Sequence, residues 1–420
     1  MKGGTPGHGQ PGKGKMQKKP TIVLIGALDT KADIYRFVRE RLEADGLDVI
    51  YVDNGIFGPA GGLVPEISAE ETAAAGGGSL EELRAEKNRG HAMEVMCKGV
   101  EVIARRLYEE GRLQGIYGMG GGGGTTVGSA AMRALPIGIP KLLVSTVASS
   151  DVSNYVGESD IVMMPSIVDV DGLNRFSAMI LSNAAAAISG MVRKKAVEYD
   201  SSKPLVAATM FGVTTPCVVR AKEALEKEGY EVLVFHAVGS GGKTLERLIR
   251  DGHIAGVLDL TTTELADELA GGWLSAGPNR LTAGPAAGIP QIVSCGALDM
   301  VNFGPMDSVP DKYHDRKLVP HNPLNTLMRT TPEENAKLGE IIAAKLNESK
   351  GKTVFLIPLK GFSMMDAEGG AFYDPAADEA FIQALKANVN ENVEVIEVDA
   401  NINDPEFSDL ASSLLIKYLK

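Results

Sequence analysis

The chain has 420 residues, of which 44% are hydrophobic and only 5% aromatic, and a formal net charge of −12. That length supports two domains with separate cores, and the weight of Gly, Ala, Val, Ile and Leu suits helices packed on parallel sheets better than a β-sandwich. The acidic balance argues against nucleic acid, so an anionic ligand must be held locally by loop amides and a few Lys or Arg; the three cysteines, Cys97, Cys217 and Cys295, form no Cys-x-x-Cys pair and give neither a disulfide framework nor a structural zinc site.

Residues 1–20 are rich in Gly, Pro and Lys and read as a disordered tail with no secretory signal, which points to the cytoplasm. Thr21–Gly26 is a buried-strand run, followed by a helix from about Lys31 to Asp45 and a second strand at Asp48–Asp53. This is a βαβ unit, and the loop Gly26-Ala27-Leu28-Asp29-Thr30-Lys31 lies at its carboxyl edge. A lysine in a first helical turn opposes the helix dipole, which makes sense if the Lys31 ammonium meets a ligand phosphate.

The strongest local signal is Gly115 to Ala130, a strand that runs into Gly120, Gly121, Gly122, Gly123 and Gly124 and then Thr125 and Thr126 at the start of a helix expected to reach Ala134. Glycines free the backbone to press its amides on a ligand, and a helix N-terminus favours negative charge. A phosphate or carboxylate is the expected guest. In an open parallel sheet, ligands gather outside the carboxyl ends of the strands. The loops at Gly26–Lys31, Asp53–Gly58, Gly120–Thr126 and Ser145-Thr146 to Ser150 are therefore expected to line one crevice. Phe176 to Val192 carries no charge but is short for a membrane span and contains several Ser and Asn residues, so a buried helix is expected and no membrane is assigned.

From Pro204 the chain restates itself. Leu107–Tyr117 matches Leu248–Leu258, and Gly138–Ser145 matches Gly288–Ser294. The expected fold is α/β: two tandem Rossmann-like, doubly wound parallel-sheet domains related by internal duplication, over 21–200 and 201–420. His236 to Thr244 approaches a Walker A loop, but Ala237 stands where the first glycine is required. His321 to Thr331 is read as a loop in which His321 can exchange protons and Arg329 can clamp an anion. Asp366, Asp374 and Asp378 could hold a cation, but a helix cap and a first-turn acid explain Asp374 and Asp378 equally well.

Taken together, Gly26–Lys31, Gly118–Thr126, His236–Gly242, Gly296-Ala297-Leu298-Asp299 and His321 through Thr331 resemble the ATP-binding family named for the tomato mosaic virus resistance protein, over about Thr21 to the C-terminus. The resemblance implies two Rossmann-like domains, ATP with Mg2+ in the first, and a homodimer. Carried across by position, Asp29, Thr30, Lys31 and the glycine loop with Thr125 and Thr126 look like nucleotide-binding positions. Asp29 is then the expected magnesium ligand, directly or through water. The family pattern continues after the lysine with Gly-Glu, whereas this chain has Ala32-Asp33. The function expected is a cytosolic ATP-binding protein acting on a small anionic metabolite between the lobes, with His321 and Arg329 on the substrate. The alternative is a non-catalytic, ATP-stabilised dimeric regulator.

Overall fold

In the computed structural model, which describes residues 19–194 and 202–420, Thr21–Gly26 forms a strand buried along its whole length, β1. Its alternate side chains serve opposite faces, as strand geometry requires. Ile22 and Leu24 join a core with Leu28, Tyr35 and Ile188, while Val23 and Ile25 join another with Val100, Ile103 and Val127. A strand apolar on both sides is the mark of a sheet covered by helices on both faces. β1 pairs in parallel with β2 (Asp48–Asp53) and β3 (Gly115–Gly120), and β4 (Lys141–Ser145) and β5 (Val162–Pro165) extend the sheet in the order β2-β1-β3-β4-β5.

The chain divides into two compact units, Met1–Val197 and Glu198–Lys420. In the second, β6 (Leu205–Met210), β7 (Glu231–His236), β8 (Gly256–Thr261) and β9 (Gln291–Gly296) repeat the arrangement. A small antiparallel sheet follows, made of β10 (Met300–Phe303), β11 (Leu318–Asn322) and β12 (Asn325–Arg329) in the order β10-β12-β11. β13 (Thr353–Pro358) and β14 (Val393–Val398) then complete a six-stranded parallel sheet, β14-β13-β9-β8-β6-β7. Counted from its own first strand, each sheet runs second, first, third, fourth, fifth, and the second sheet adds a sixth strand at that edge. The duplication read from the sequence is therefore a duplication of topology. Each sheet reverses its order between its first and third strands, and this is where a doubly wound fold leaves room for a ligand.

The charge-free segment lies in the helix Arg175–Arg193, which has the length and composition of a membrane span. In the fold its Leu181, Ala184, Ala185 and Ile188 are buried in the core of the first unit. The tail over 1–18 and the join over 195–201 lie outside the described residues.

Candidate functional site

The helix after β3 runs Gly122–Arg133, not from Thr125 as expected, so three of the five glycines form its first turn. It lies close on the sheet because Gly118 and Gly128 face each other; a Cβ on Gly118 would sit 3.6 Å from the Gly128 Cα. That contact holds the helix start at the switch point. Gly121 is the N-cap residue, and no side chain caps the helix. Among the described residues, the amides of Gly122, Gly123 and Gly124 have no protein acceptor. Within the run only Gly120 has positive φ, so these amides are presented by a helix terminus and not by a left-handed nest. Gly124 must be glycine for another reason: a Cβ there would lie 2.9 Å from the Met119 carbonyl oxygen.

These amides border a cavity of about 290 Å³ walled by Gly121–Gly124, Asp29, Thr30, Lys31, Asn54, Phe57 and Arg89, with Met93, Met96 and Val127 on its apolar side. Three of the four expected loops meet here. The loop after β4 does not line the cavity. The Ser145 and Thr125 hydroxyls are buried and hydrogen-bond each other at 2.6 Å, and Thr125 also donates to the Gly121 carbonyl, so neither is offered to a ligand. Thr126 turns back onto the Gly122 carbonyl at 2.8 Å. Thr146 is exposed beside Gly121. An earlier helix start rotates Thr125 into the core, and this is the physical reason for the correction.

The helix after β1 begins at Leu28, where the Leu28 amide donates to Asp53 Oδ1 at 3.0 Å, and its backbone kinks at Lys31. Asp53 also accepts from the Gly55 amide; its burial pushes its carboxyl upward while these two donors pull it back. Its role is to join the two loops. Lys31 lines the cavity, and its ammonium donates to the Val170 carbonyl. Asp29 Oδ2 accepts from the Phe57 amide at 2.7 Å, whereas Asp29 Oδ1 and Asn54 Oδ1 are buried without a partner. Two orphaned oxygen acceptors at one cavity suit a hard cation. Among the described residues no three His, Cys, Asp or Glu side chains converge on a metal, so a cation here would share its coordination with ligand oxygens.

Arg89 was not singled out in the sequence. It opens the helix Arg89–Glu109, whose first turn has no acid, and Asn88 caps that helix through the His91 amide. Its guanidinium lies 3.8 Å from where a Cβ on Gly123 would be. Among the described residues it has no ion pair or hydrogen bond. A cation in a first turn was the signal applied to Lys31, and Arg89 carries it equally.

The second unit also has a glycine-led helix start, after its second strand rather than its third, and fills it from within. The near-Walker loop leads into the helix Ser240–Arg250, with Gly239 as its N-cap residue. The Gly239 and Gly242 amides donate to Glu264 Oε1 at 2.7 and 3.0 Å. Glu264 Oε2 accepts from Arg280 at 2.6 Å, and Arg280 also grips Asp259 through two bonds of 2.6 Å. Arg280, Glu264 and Asp267 have no exposed surface, and Asp259 is 2% exposed. Burial raises the Glu264 carboxyl, and Arg280 opposes the rise.

His321 and Arg329 do not form a site together. The segment that holds them is the hairpin β11-β12, with His321 exposed near its turn at an irregularity in the pairing. Arg329 lies at the far end, 4% exposed, paired with Asp378 at 2.8 Å and Asp366 at 3.1 Å and donating to the Phe372 carbonyl. A guanidinium with its donors spent on internal acceptors cannot clamp a substrate, so the expected role of Arg329 is corrected to a structural one. Asp374 is a helix cap, accepting from the Ala377 amide.

Residues 20–197 match the model described as uncharacterised protein family (UPF0261) N-terminal domain, and residues 203–419 match its C-terminal domain. A UPF0261 protein of Clostridium tetani is 52% identical over 96% of this chain and all of its own length. The tomato ToMV resistance protein Tm-1(GCR237) is 40% identical over 93% of this chain, which spans 54% of the tomato protein. Among solved structures, a UDP-N-acetylglucosamine 2-epimerase from Rickettsia bellii aligns over 96% of this chain and 97% of its own at 11% identity. Its TM-score of 0.24 carries no argument about this chain.

Proposed function

The chain belongs to the UPF0261 family, and on that premise we propose that its first unit binds a nucleoside triphosphate, ATP with Mg2+, and presents it to a small anionic metabolite. The observation that carries this reading is the uncapped glycine start of the helix Gly122–Arg133, open to a cavity that also holds an arginine with no partner among the described residues. The amides of Gly122, Gly123 and Gly124 would take phosphate oxygens, Arg89 would neutralise them, and Lys31 would add further positive charge. The wall of Met93, Met96 and Val127 suits a base or sugar face. Asp29 and Asn54 would hold the magnesium ion, which supplies charge neutralisation to the phosphates. Phosphoryl or nucleotidyl transfer is the chemistry such an arrangement supports.

Equilibrium dialysis with Mg-ATP tests the reading. Binding in the low micromolar to millimolar range is expected for several charge-assisted bonds without a P-loop. Gly122→Val should abolish it while leaving the fold intact, because a Cβ at Gly122 meets no atom within 4 Å in the free protein. Equal binding by the variant, or none by the parent at several millimolar, removes the nucleotide reading.

A further inference from the structure

Beside the glycine cavity lies a second groove of about 410 Å³, which shares Ile56, Phe57, Arg89 and Ala92 with it and is closed by Leu83, Arg84, Lys87 and Asn88. Its lining has two features that rarely coincide in so acidic a chain. Every charged group on it is positive: Arg84, Lys87 and Arg89 contribute, and no Asp or Glu does. The neighbouring Glu86 is taken up by His91 Nδ1 at 2.7 Å and does not line the groove. The remaining wall is apolar. Leu83 and Ala92 are buried as a floor, and Phe57 is 78% exposed at the rim, where it belongs to no core.

The three cations are not equivalent. Arg84 donates through Nε to the Ile56 carbonyl at 2.7 Å and through Nη2 to Gly58, so it holds the Phe57 segment in place. Lys87 and Arg89 have no ion pair or hydrogen bond among the described residues. Lys87 sits in the left-handed region at φ +53, immediately after the helix Leu80–Glu86, and Arg89 opens the next helix two residues on. The connection between two helices thus sets two free cations on one groove.

We infer that this groove binds a small carboxylate with an apolar body, the carboxylate on Lys87 and Arg89 and the body on Phe57, Ile56 and Leu83. A carboxylate satisfies two cationic donors that otherwise have only solvent, and an apolar body covers an exposed phenyl ring; neither a bare anion nor a neutral apolar molecule does both. The inference rests on the nucleotide reading in one respect. Arg89 belongs to both cavities, so the carboxylate lies beside the proposed phosphates and is the metabolite they would meet.

Ligand-observed NMR titration of the intact protein with phenylacetate tests it, with phenylacetamide and acetate as the uncharged and body-less controls. Phenylacetate should bind in the millimolar range and each control about tenfold more weakly. Lys87→Gln should weaken phenylacetate about tenfold and leave Mg-ATP unchanged, Gly122→Val should remove Mg-ATP alone, and Arg89→Met should weaken both. Equal binding of phenylacetate and phenylacetamide overturns the inference, as does no binding at tens of millimolar or indifference to Lys87→Gln. Phenylacetate binding that needs Lys87 in a protein that ignores Mg-ATP sustains the groove and removes the nucleotide reading.

Discussion

The two sheets share a strand order and each carries a glycine-led helix at its carboxyl edge, after the third strand in the first unit and after the second in the other, yet the two helix starts are satisfied in opposite ways. In the second unit, the Gly239 and Gly242 amides end on the Glu264 carboxylate, and Arg280 seals it from behind. In the first unit, the amides of Gly122, Gly123 and Gly124 end on a cavity. The backbone demand is the same: orphan donors at a helix start need an acceptor. One unit supplies it with a side chain, while the other leaves it open to a cavity. Glu264 thus shows, inside the molecule, the kind of group that the proposed function would place at the first helix start.

Removing the internal anion has the largest expected effect. Glu264→Ala strands two amides and leaves Arg280 with one acid fewer, and should cost about 3–5 kcal/mol in chemical denaturation. Added acetate or phosphate should return part of that loss to the variant and none to the parent. A loss below about 1 kcal/mol would mean that the carboxylate does not close the second site. Glycine substitutions extend the contrast. A Cβ on Gly242 would lie 2.2 Å from Glu264 Oε2, whereas one on Gly122 meets nothing. Gly242→Ala should therefore lower stability by about 2 kcal/mol, and Gly122→Ala should leave it level or raise it by up to about 1 kcal/mol through helix propensity. Equal effects at the two positions would erase the distinction.

Titration separates the units as well. Burial raises three acids of the second unit around Arg329: Asp299 to about 6, Asp366 to about 7 and Asp378 to about 8, with Arg329 opposing each rise. Their folded values lie above an unfolded value of about 3.9, so the native state holds protons that the unfolded chain has released. Stability should fall as pH rises through this range, by up to about 4 kcal/mol between pH 6 and 9. Asp378→Asn should flatten that fall, and an unchanged pH profile would refute the assignment. The smallest effect concerns Arg89: Arg89→Met should weaken Mg-ATP about tenfold with no change in melting temperature, because the side chain is exposed and has no partner among the described residues.

Much of the architecture was legible because buried parallel strands are continuous apolar runs: Thr21–Gly26 and Asp48–Asp53 fall where the pattern placed them. The glycine run was legible as a place of close backbone approach, and Asp29, Thr30 and Lys31 do line the same cavity. The start of the helix was not legible. Glycine is a poor helix former, so nothing local announced Gly122 as its first residue, and the three-residue error carried Thr125 from the ligand to the core. Arg329 was misread because the acids that consume it, Asp366 and Asp378, lie 37 and 49 residues further along the chain. Arg89 joins the cavity through folding alone, from a helix separate from the glycine helix, whereas Asn54 lies in a loop already expected to line the crevice.

Hydrogen–deuterium exchange with and without saturating Mg-ATP tests the central claim most directly, because it reads the two helix starts in one experiment. In the free protein the amides at Gly122–Gly124 should exchange fast, and those of Gly239 and Gly242, already bonded to Glu264, should exchange slowly. Mg-ATP should then protect the segment around Gly121–Thr125 and leave Gly239–Gly242 unchanged. Protection at Gly239–Gly242, or none at Gly121–Thr125 under saturating nucleotide, would contradict the account.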